Sequence, residues 1–280
     1  MTENKNVSPD LIEKIQALTL EAIEEAMIVL PDDVKNSIRE ASIREFSPVG
    51  RGELKNILEN IRMAESLRVP LCQDTGIPVI YLTLPDTVPF SQSIIDAIYR
   101  AVREATSSVP LRPNLVDPIS RVNSGDNTGD NMPPVHVKPG NKLSITVLPK
   151  GAGSENVSRI GMLLPSDKNN ITRFVVETML IAGSRPCPPV ILGVGIGGTF
   201  DTAPALAKEA LLMPISSMTL FELEICDAVN ALGIGPMGLG GTITALAVKV
   251  RTAGCHTASL PVAVNIQCWA SRRASREVRL

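Results

Sequence analysis

Residues 110–141 set the tightest limits on how this chain can fold. Six prolines (Pro110, Pro113, Pro118, Pro133, Pro134, Pro139) and an Asn/Gly/Asp-rich run from Asn123 to Asn131 fall in that stretch. Each proline fixes its own φ and removes a backbone donor, so the sequence predicts loop structure across it. A loop of more than thirty residues is longer than a compact domain normally carries without a functional reason.

The flanks are regular. Before the loop, Ser8-Pro9 offers a cap and a first-turn proline, and Leu11, Ile12, Ile15, Leu18, Ala22, Ile23, Ala26 and Met27 recur at helical spacing up to Pro31. Leu54, Ile57, Leu58, Ile61 and Ala64 predict a second helix, and Ile94, Ile95, Ile98, Ala101 and Val102 a third. Val79 to Leu84, bounded by prolines, reads as a strand. After the loop, strands are expected at Leu143–Leu148, Val190–Ile196, Thr244–Val250 and Pro261–Ile266. Helices are expected near Ile171–Ile181, Pro204–Leu212 and Leu220–Leu232. There is no repeat and no clean βαβ alternation, so the expected class is α+β, with N-terminal helices followed by mixed helices and sheet.

One segment tests the membrane reading. Ala228 to Val248 is 21 residues without a charge, but it contains five glycines, Pro236, Asn230, Thr242 and Thr244. Such a broken backbone is costly in lipid, so it reads as buried loop and strand. Lys+Arg 27 against Asp+Glu 29 lacks the basic surplus of a nucleic-acid binder. The polar start MTENKNVSPD has no apolar h-region. With five cysteines, an odd number, this fits reduced thiols and a cytoplasmic protein.

No CxxC pair occurs among Cys72, Cys187, Cys226, Cys255 and Cys268, so any metal centre must be assembled from distant segments. Cys72 lies in Cys72-Gln73-Asp74-Thr75-Gly76, where the simpler reading is a turn holding a buried thiol. Arg185-Pro186-Cys187-Pro188-Pro189 is different. Three prolines fix one cysteine outside regular structure, which packing does not require and metal ligation does. His256 is one of two histidines and lies beside Cys255 and twelve residues before Cys268, although a satisfied core histidine is the bland alternative. Cys226 follows the apolar face Leu220, Leu223, Val229, Leu232 and reads as core.

Gly193-Val194-Gly195-Ile196-Gly197-Gly198 follows a strand but misses the dinucleotide-loop register. Gly151 to Asn156 (GAGSEN) is either an anion-binding turn or a hairpin connection. Arg112 is a bidentate carboxylate partner in form, though a lone loop arginine is usually only solvated.

Taken together, CQDTG at Cys72, LRPNLVDP at Leu111, GDNMPP at Gly129, GAGSEN at Gly151, CPPVILGVGIGGT at Cys187, GPMGLGGTITALAVKV at Gly235 and HTASLPVAVNIQCWASRR at His256 resemble a known family. It is the alpha subunit of the iron–sulfur-dependent (class I) fumarate hydratases and the related L-tartrate dehydratases. The matches keep family order over about residues 50–275.

The resemblance implies a 4Fe–4S cluster held by Cys72, Cys187 and Cys268, with one iron left open. It implies Asp74 and His256 as catalytic positions. It also implies that Gln73, Asp74, Arg112, His256 and a backbone donor at Gly151 or Gly153 meet a small dicarboxylate. A single alpha-type domain over 1–280 is expected, with the cluster at an edge facing a partner.

In the family, the proton-abstracting group belongs to a beta portion. The sequence ends at Arg279-Leu280, so the expectation is a chain incomplete without a beta subunit, self-associating into a heterotetramer. The expected reaction interconverts (S)-malate and fumarate. L-tartrate dehydration is the nearest alternative, and a non-catalytic iron–sulfur sensor a more distant one.

Overall fold

A computed structural model describes residues 7–278. The chain divides into two compact units, each discontinuous in sequence: one runs to Leu30, resumes over Met63–Lys150 and returns at Arg272, and the other comprises Pro31–Arg62 and Gly151–Ser271. The fold is α+β, as expected.

The first unit holds helices α1 (Pro9–Ile28) and α4 (Gln92–Ser108), together with strands β1 (Ile77–Leu84), β2 (Val135–Pro139), β3 (Leu143–Lys150) and β8 (Ala274–Val278). Its sheet order is β2-β1-β3-β8, with β1 and β2 parallel and the remaining pairs antiparallel. Alternate residues Ile80, Leu82 and Leu84 of β1, with Leu143, Ile145 and Val147 of β3, bury against Ile15, Ile23 and Met27 of α1 and Ile94, Ile98 and Val102 of α4. That period-two and period-3.6 match is what the sequence pattern predicted. α1 starts as expected, with Ser8 Oγ accepting the Leu11 N–H at 3.3 Å and proline in the first turn.

One expectation is corrected here. The proline-rich stretch is not all loop, because Val135–Pro139 forms the edge strand β2. An edge position tolerates Pro139, whose missing N–H costs a central ladder bond but not an outward-facing one.

The second unit contains α2 (Asp32–Arg44), most of α3 (Pro48–Leu67), the four-residue α5 (Ala152–Glu155), α6 (Ile171–Ala182), α7 (Thr202–Ala210) and α8 (Leu220–Asn230). Its sheet, from β4 (Arg159–Leu163), β5 (Val190–Gly198), β6 (Ala245–Cys255) and β7 (Leu260–Gln267), has the order β4-β7-β5-β6. One face of it packs Val190, Leu192, Val194, Val264 and Ile266 against Phe174, Val175 and Met179 of α6 and Ile225 and Val229 of α8.

The other face explains the glycine string. A Cβ at Gly193 would lie 2.0 Å from Ala207 O, and one at Gly195 would lie 2.1 Å from Ala203 O. Helix α7 therefore rests directly on the strand backbone, and these glycines form a helix seat and not a dinucleotide loop.

GAGSEN is not a hairpin connection either. It forms α5, and β3 and β4 on its two sides belong to different sheets. The uncharged run 228–248 becomes the end of α8, a turn at Pro236–Gly238 and the start of β6. Among the described residues, no helix is long and apolar enough to cross a membrane.

Candidate active site

In the first unit the CQDTG turn precedes β1 and is tied down by its own backbone and by the long loop. Leu71 N–H donates to Met27 O at 3.0 Å, and Asp74 Oδ1 accepts from Gly76 N at 2.9 Å. The Arg272 guanidinium, 2 % exposed, donates to Asp74 O at 3.0 Å. Thr75 Oγ1 accepts the Arg112 N–H at 3.0 Å, and Asn114 Nδ2 donates to Gly76 O at 3.1 Å.

Behind them lies Asn127, fully buried at φ +61. It accepts from Asn114 N at 2.7 Å and donates to Arg112 O at 3.0 Å and Thr106 Oγ1 at 3.1 Å. Asparagine accepts a left-handed backbone more readily than most residues, and its side-chain amide both donates and accepts. The result is a rigid frame that gathers Cys72, Gln73, Asp74 and Arg112. Cys72 is half-buried, Gln73 and Arg112 are exposed, and Cys72 Sγ lies 3.7 Å from Gln73 Oε1.

In the second unit Cys187 is exposed and held at φ +53, and its N–H donates to Ser184 O at 3.0 Å. Cys268 follows β7 directly, and Trp269 N–H donates to Cys187 O at 3.4 Å, so both thiol-bearing segments meet at one end of β5. The GAGSEN helix arrives at the same end. A Cβ at Gly153 would be 3.2 Å from Arg185 O, Glu155 accepts from Asn265 Nδ2 at 3.1 Å, and Ile266 N donates to Ser158 Oγ at 3.0 Å.

His256 stands elsewhere. Gln267 pairs with Ile191 at the start of β5, whereas Cys255 pairs with Gly198 at its finish. At strand rise, those positions lie about 23 Å apart. Residues 251–258 are all exposed, and His256 Nδ1 accepts the Ala258 N–H at 3.1 Å, which leaves Nε2–H facing outward as the donor.

The donor set fits a thiolate-held cluster in its chemistry. All five cysteines are in the thiol state, and Cys72, Cys187 and Cys268 sit outside helices and strands with at least partial access. Cys226 does not fit. It is 3 % exposed, and burial, with Asp227 beside it, pushes its thiol up to about 11. Among the described residues no set of three or more His, Cys, Asp or Glu is grouped to hold a metal ion.

Sequence reasoning missed two residues that build these frames, Asn127 and Arg272. Asn127 carried a local signal in its Asp-Asn-Thr-Gly setting, whereas Arg272 acts through Asp74, far along the chain.

Compared with known proteins, residues 16–277 match the family Fumerase, described as fumarate hydratase (Fumerase). A protein named putative L(+)-tartrate dehydratase subunit alpha, from Methanocaldococcus jannaschii, is 47% identical over 280 residues, spanning 95% of this chain and 98% of its own. The L(+)-tartrate dehydratase subunit alpha of Escherichia coli strain UTI89 is 34% identical over 259 residues, 89% of this chain and 86% of its own. Its counterpart in strain K12 is 34% identical over 256 residues, 88% and 84%.

Proposed function

This chain belongs to the fumarate hydratase (Fumerase) family of hydro-lyases, and from that premise we propose that it is the alpha subunit of a two-subunit enzyme interconverting (S)-malate with fumarate and water. The observation that carries this reading is the joint one. The family match runs through both units, and the motif cysteines 187 and 268 are tied together at one end of β5. Residues 1–280 are taken as one functional domain on the same ground, and the naming of the relatives as alpha subunits supports a beta partner. A cytoplasmic location completes the proposal.

In it, Cys72, Cys187 and Cys268 hold a 4Fe–4S cluster. When bound, a cluster with one iron free of protein thiolate supplies a Lewis acid for the departing hydroxide. The chain's own residues then bind and orient. The Arg112 fork pairs with one substrate carboxylate, and the GAGSEN backbone N–H at Gly151 or Gly153 meets another oxygen. Gln73 donates to substrate beside its neighbouring thiolate. Asp74 is held by the Gly76 N–H and by Arg272, and it positions the proton-transfer group contributed by the beta subunit. His256 offers Nε2–H to a carboxylate or to the leaving oxygen.

His256 lies too far along β5 to join Cys187 and Cys268 of its own unit, so it completes the site of a second copy. Self-association into a heterotetramer is thus part of the proposal. Mixing inactive Cys187→Ser and His256→Asn chains, each with the beta subunit, is expected to restore activity that neither has alone. No restoration sinks the shared site.

The main test is anaerobic reconstitution of the chain with its beta subunit, followed by parallel assays on (S)-malate, fumarate and L-tartrate. About four irons per chain and fumarate hydration are expected, with iron lost in Cys187→Ser and kept in Cys226→Ser. The tartrate alternative has one observation in its favour, the names of the relatives, and faster turnover of L-tartrate decides for it. A cluster with no turnover of any of the three leaves the sensor role.

A further inference from the structure

In the second unit a carboxylate is buried. Glu45 is 1 % exposed, and its two oxygens accept four backbone N–H bonds: from Ser47 at 2.9 Å, from Thr242 to both oxygens at 3.0 Å, and from Ile243 at 2.8 Å. The loop that supplies Thr242 and Ile243 is the glycine-rich run 235–243, with positive φ at Gly235, Met237, Gly238, Gly240 and Gly241. Glycine takes those angles freely, but Met237 at φ +53 keeps its conformation only where its surroundings hold it. Gly241 is glycine because a Cβ there would be 2.7 Å from Glu45 Oε1.

The same loop grips the cysteine segment. Met237 N–H donates to Pro188 O at 2.8 Å, and a Cβ at Gly238 would lie 2.2 Å from Ser184 Cβ. Ser184 and Pro188 bracket Cys187, whose own N–H is bound to Ser184 O. An unbroken run of contacts therefore leads from Glu45 through the glycine loop to both sides of the Cys187 backbone. We infer that Glu45 is a positioning residue for the Cys187 thiol: its carboxylate fixes the loop that fixes the left-handed cysteine. The inference rests on the reading of Cys187 as a cluster ligand, but its test reads the thiol directly, whereas iron content in Cys187→Ser tests the ligand.

The experiment compares alkylation rates of Cys187 and Cys255 by peptide mass spectrometry in the full chain, its Glu45→Gln variant and a Glu222→Gln control. Glu222 is a second buried carboxylate of this unit, bonded to Lys249 and Val250 and not to the glycine loop. Glu45→Gln is expected to change the Cys187 rate about fivefold or more, with Cys255 unmoved, as local opening of the loop frees the already exposed thiol from its fixed left-handed backbone. Glu222→Gln is expected to lower the melting temperature without that change. An unchanged Cys187 rate in Glu45→Gln, or an equal change in Glu222→Gln, overturns the inference. Should Glu45→Gln not fold, hydrogen exchange on the unaltered chain decides. The amides of Met237 and Cys187 must be protected together with those of Thr242 and Ile243. Exchange at the first pair more than about tenfold faster shows that the loop transmits nothing.

Discussion

The two sheets share a pairing pattern and solve their packing differently. Each has one parallel edge pair followed by two antiparallel pairs, β2-β1-β3-β8 in the first unit and β6-β5-β7-β4 in the second. β1 presents large side chains to α1 and α4, so its core is a layer of interdigitated aliphatics. β5 presents Gly193 and Gly195 to α7 and Val190, Leu192 and Val194 to α6 and α8, so on one face a helix touches bare backbone. The buried polar groups differ as well. In the first unit they include Thr19, Thr75, Asn127, Lys150 and Arg272, while both buried glutamates, Glu45 and Glu222, lie in the second. Asn127 and Arg272 frame the first set of site residues, while in the second, which also buries Asn265, Gln267 and Lys249, the Glu45 carboxylate anchors the loop beside Cys187.

Three measurements sharpen that contrast, in descending order of effect. Gly193→Ala should cost about 3 kcal/mol, because its Cβ meets a helix carbonyl that cannot yield without moving α7. The facing change in the first unit, Ile80→Val, should cost only about 1 kcal/mol. Urea melts giving equal losses would erase the distinction between backbone seat and side-chain layer.

Asn127→Ala should cost about 2 kcal/mol by orphaning the Asn114 N–H and Arg112 carbonyl. It should also raise KM for the dicarboxylate more than it lowers kcat, since the Arg112 backbone loses its brace. A KM that stays put would make Asn127 a purely structural residue.

Acid separates the units last. Burial alone raises the Glu45 and Glu222 carboxyls, but backbone N–H bonds, from Thr242, Ser47 and Ile243 to one and from Thr219 and Val250 to the other, outweigh it, aided at Glu222 by Lys249; both are held below the usual value. A depressed folded value means that the stability they lend is complete above the unfolded value of about 4.3, and it drains as pH falls through the folded ones. The single tryptophan, Trp269, reports the second unit, and both tyrosines, Tyr81 and Tyr99, report the first. Tryptophan emission should therefore shift at higher pH than the tyrosine near-ultraviolet signal; the reverse order would contradict the assignment of the anchors.

Much of this was legible in the letters. The helices α1, α4, α6 and α8 and the strands β1, β3, β5 and β7 carry local periodicity strong enough to find them. The short strands β2, β4 and β8 and the polar helix α2 do not: α2 buries only Val34, Ile38 and Ala41 in an otherwise charged segment. The motifs exposed the candidate ligands, because glycine and proline record backbone demands in place. Glu45 left no such trace. It reads as one more charge between Arg44 and Phe46, since its partners other than Ser47 lie 197 and 198 residues away.

The discontinuity of the units governs their order of birth. As the ribosome works toward the C-terminal side, every strand of the second sheet is in hand by Gln267, whereas the first sheet still awaits Ala274–Val278 to cover the outer edge of β3. The sheet that holds β1 is thus closed after the one that follows it in the chain, and until then β3 offers nascent chains an open hydrogen-bonding rim.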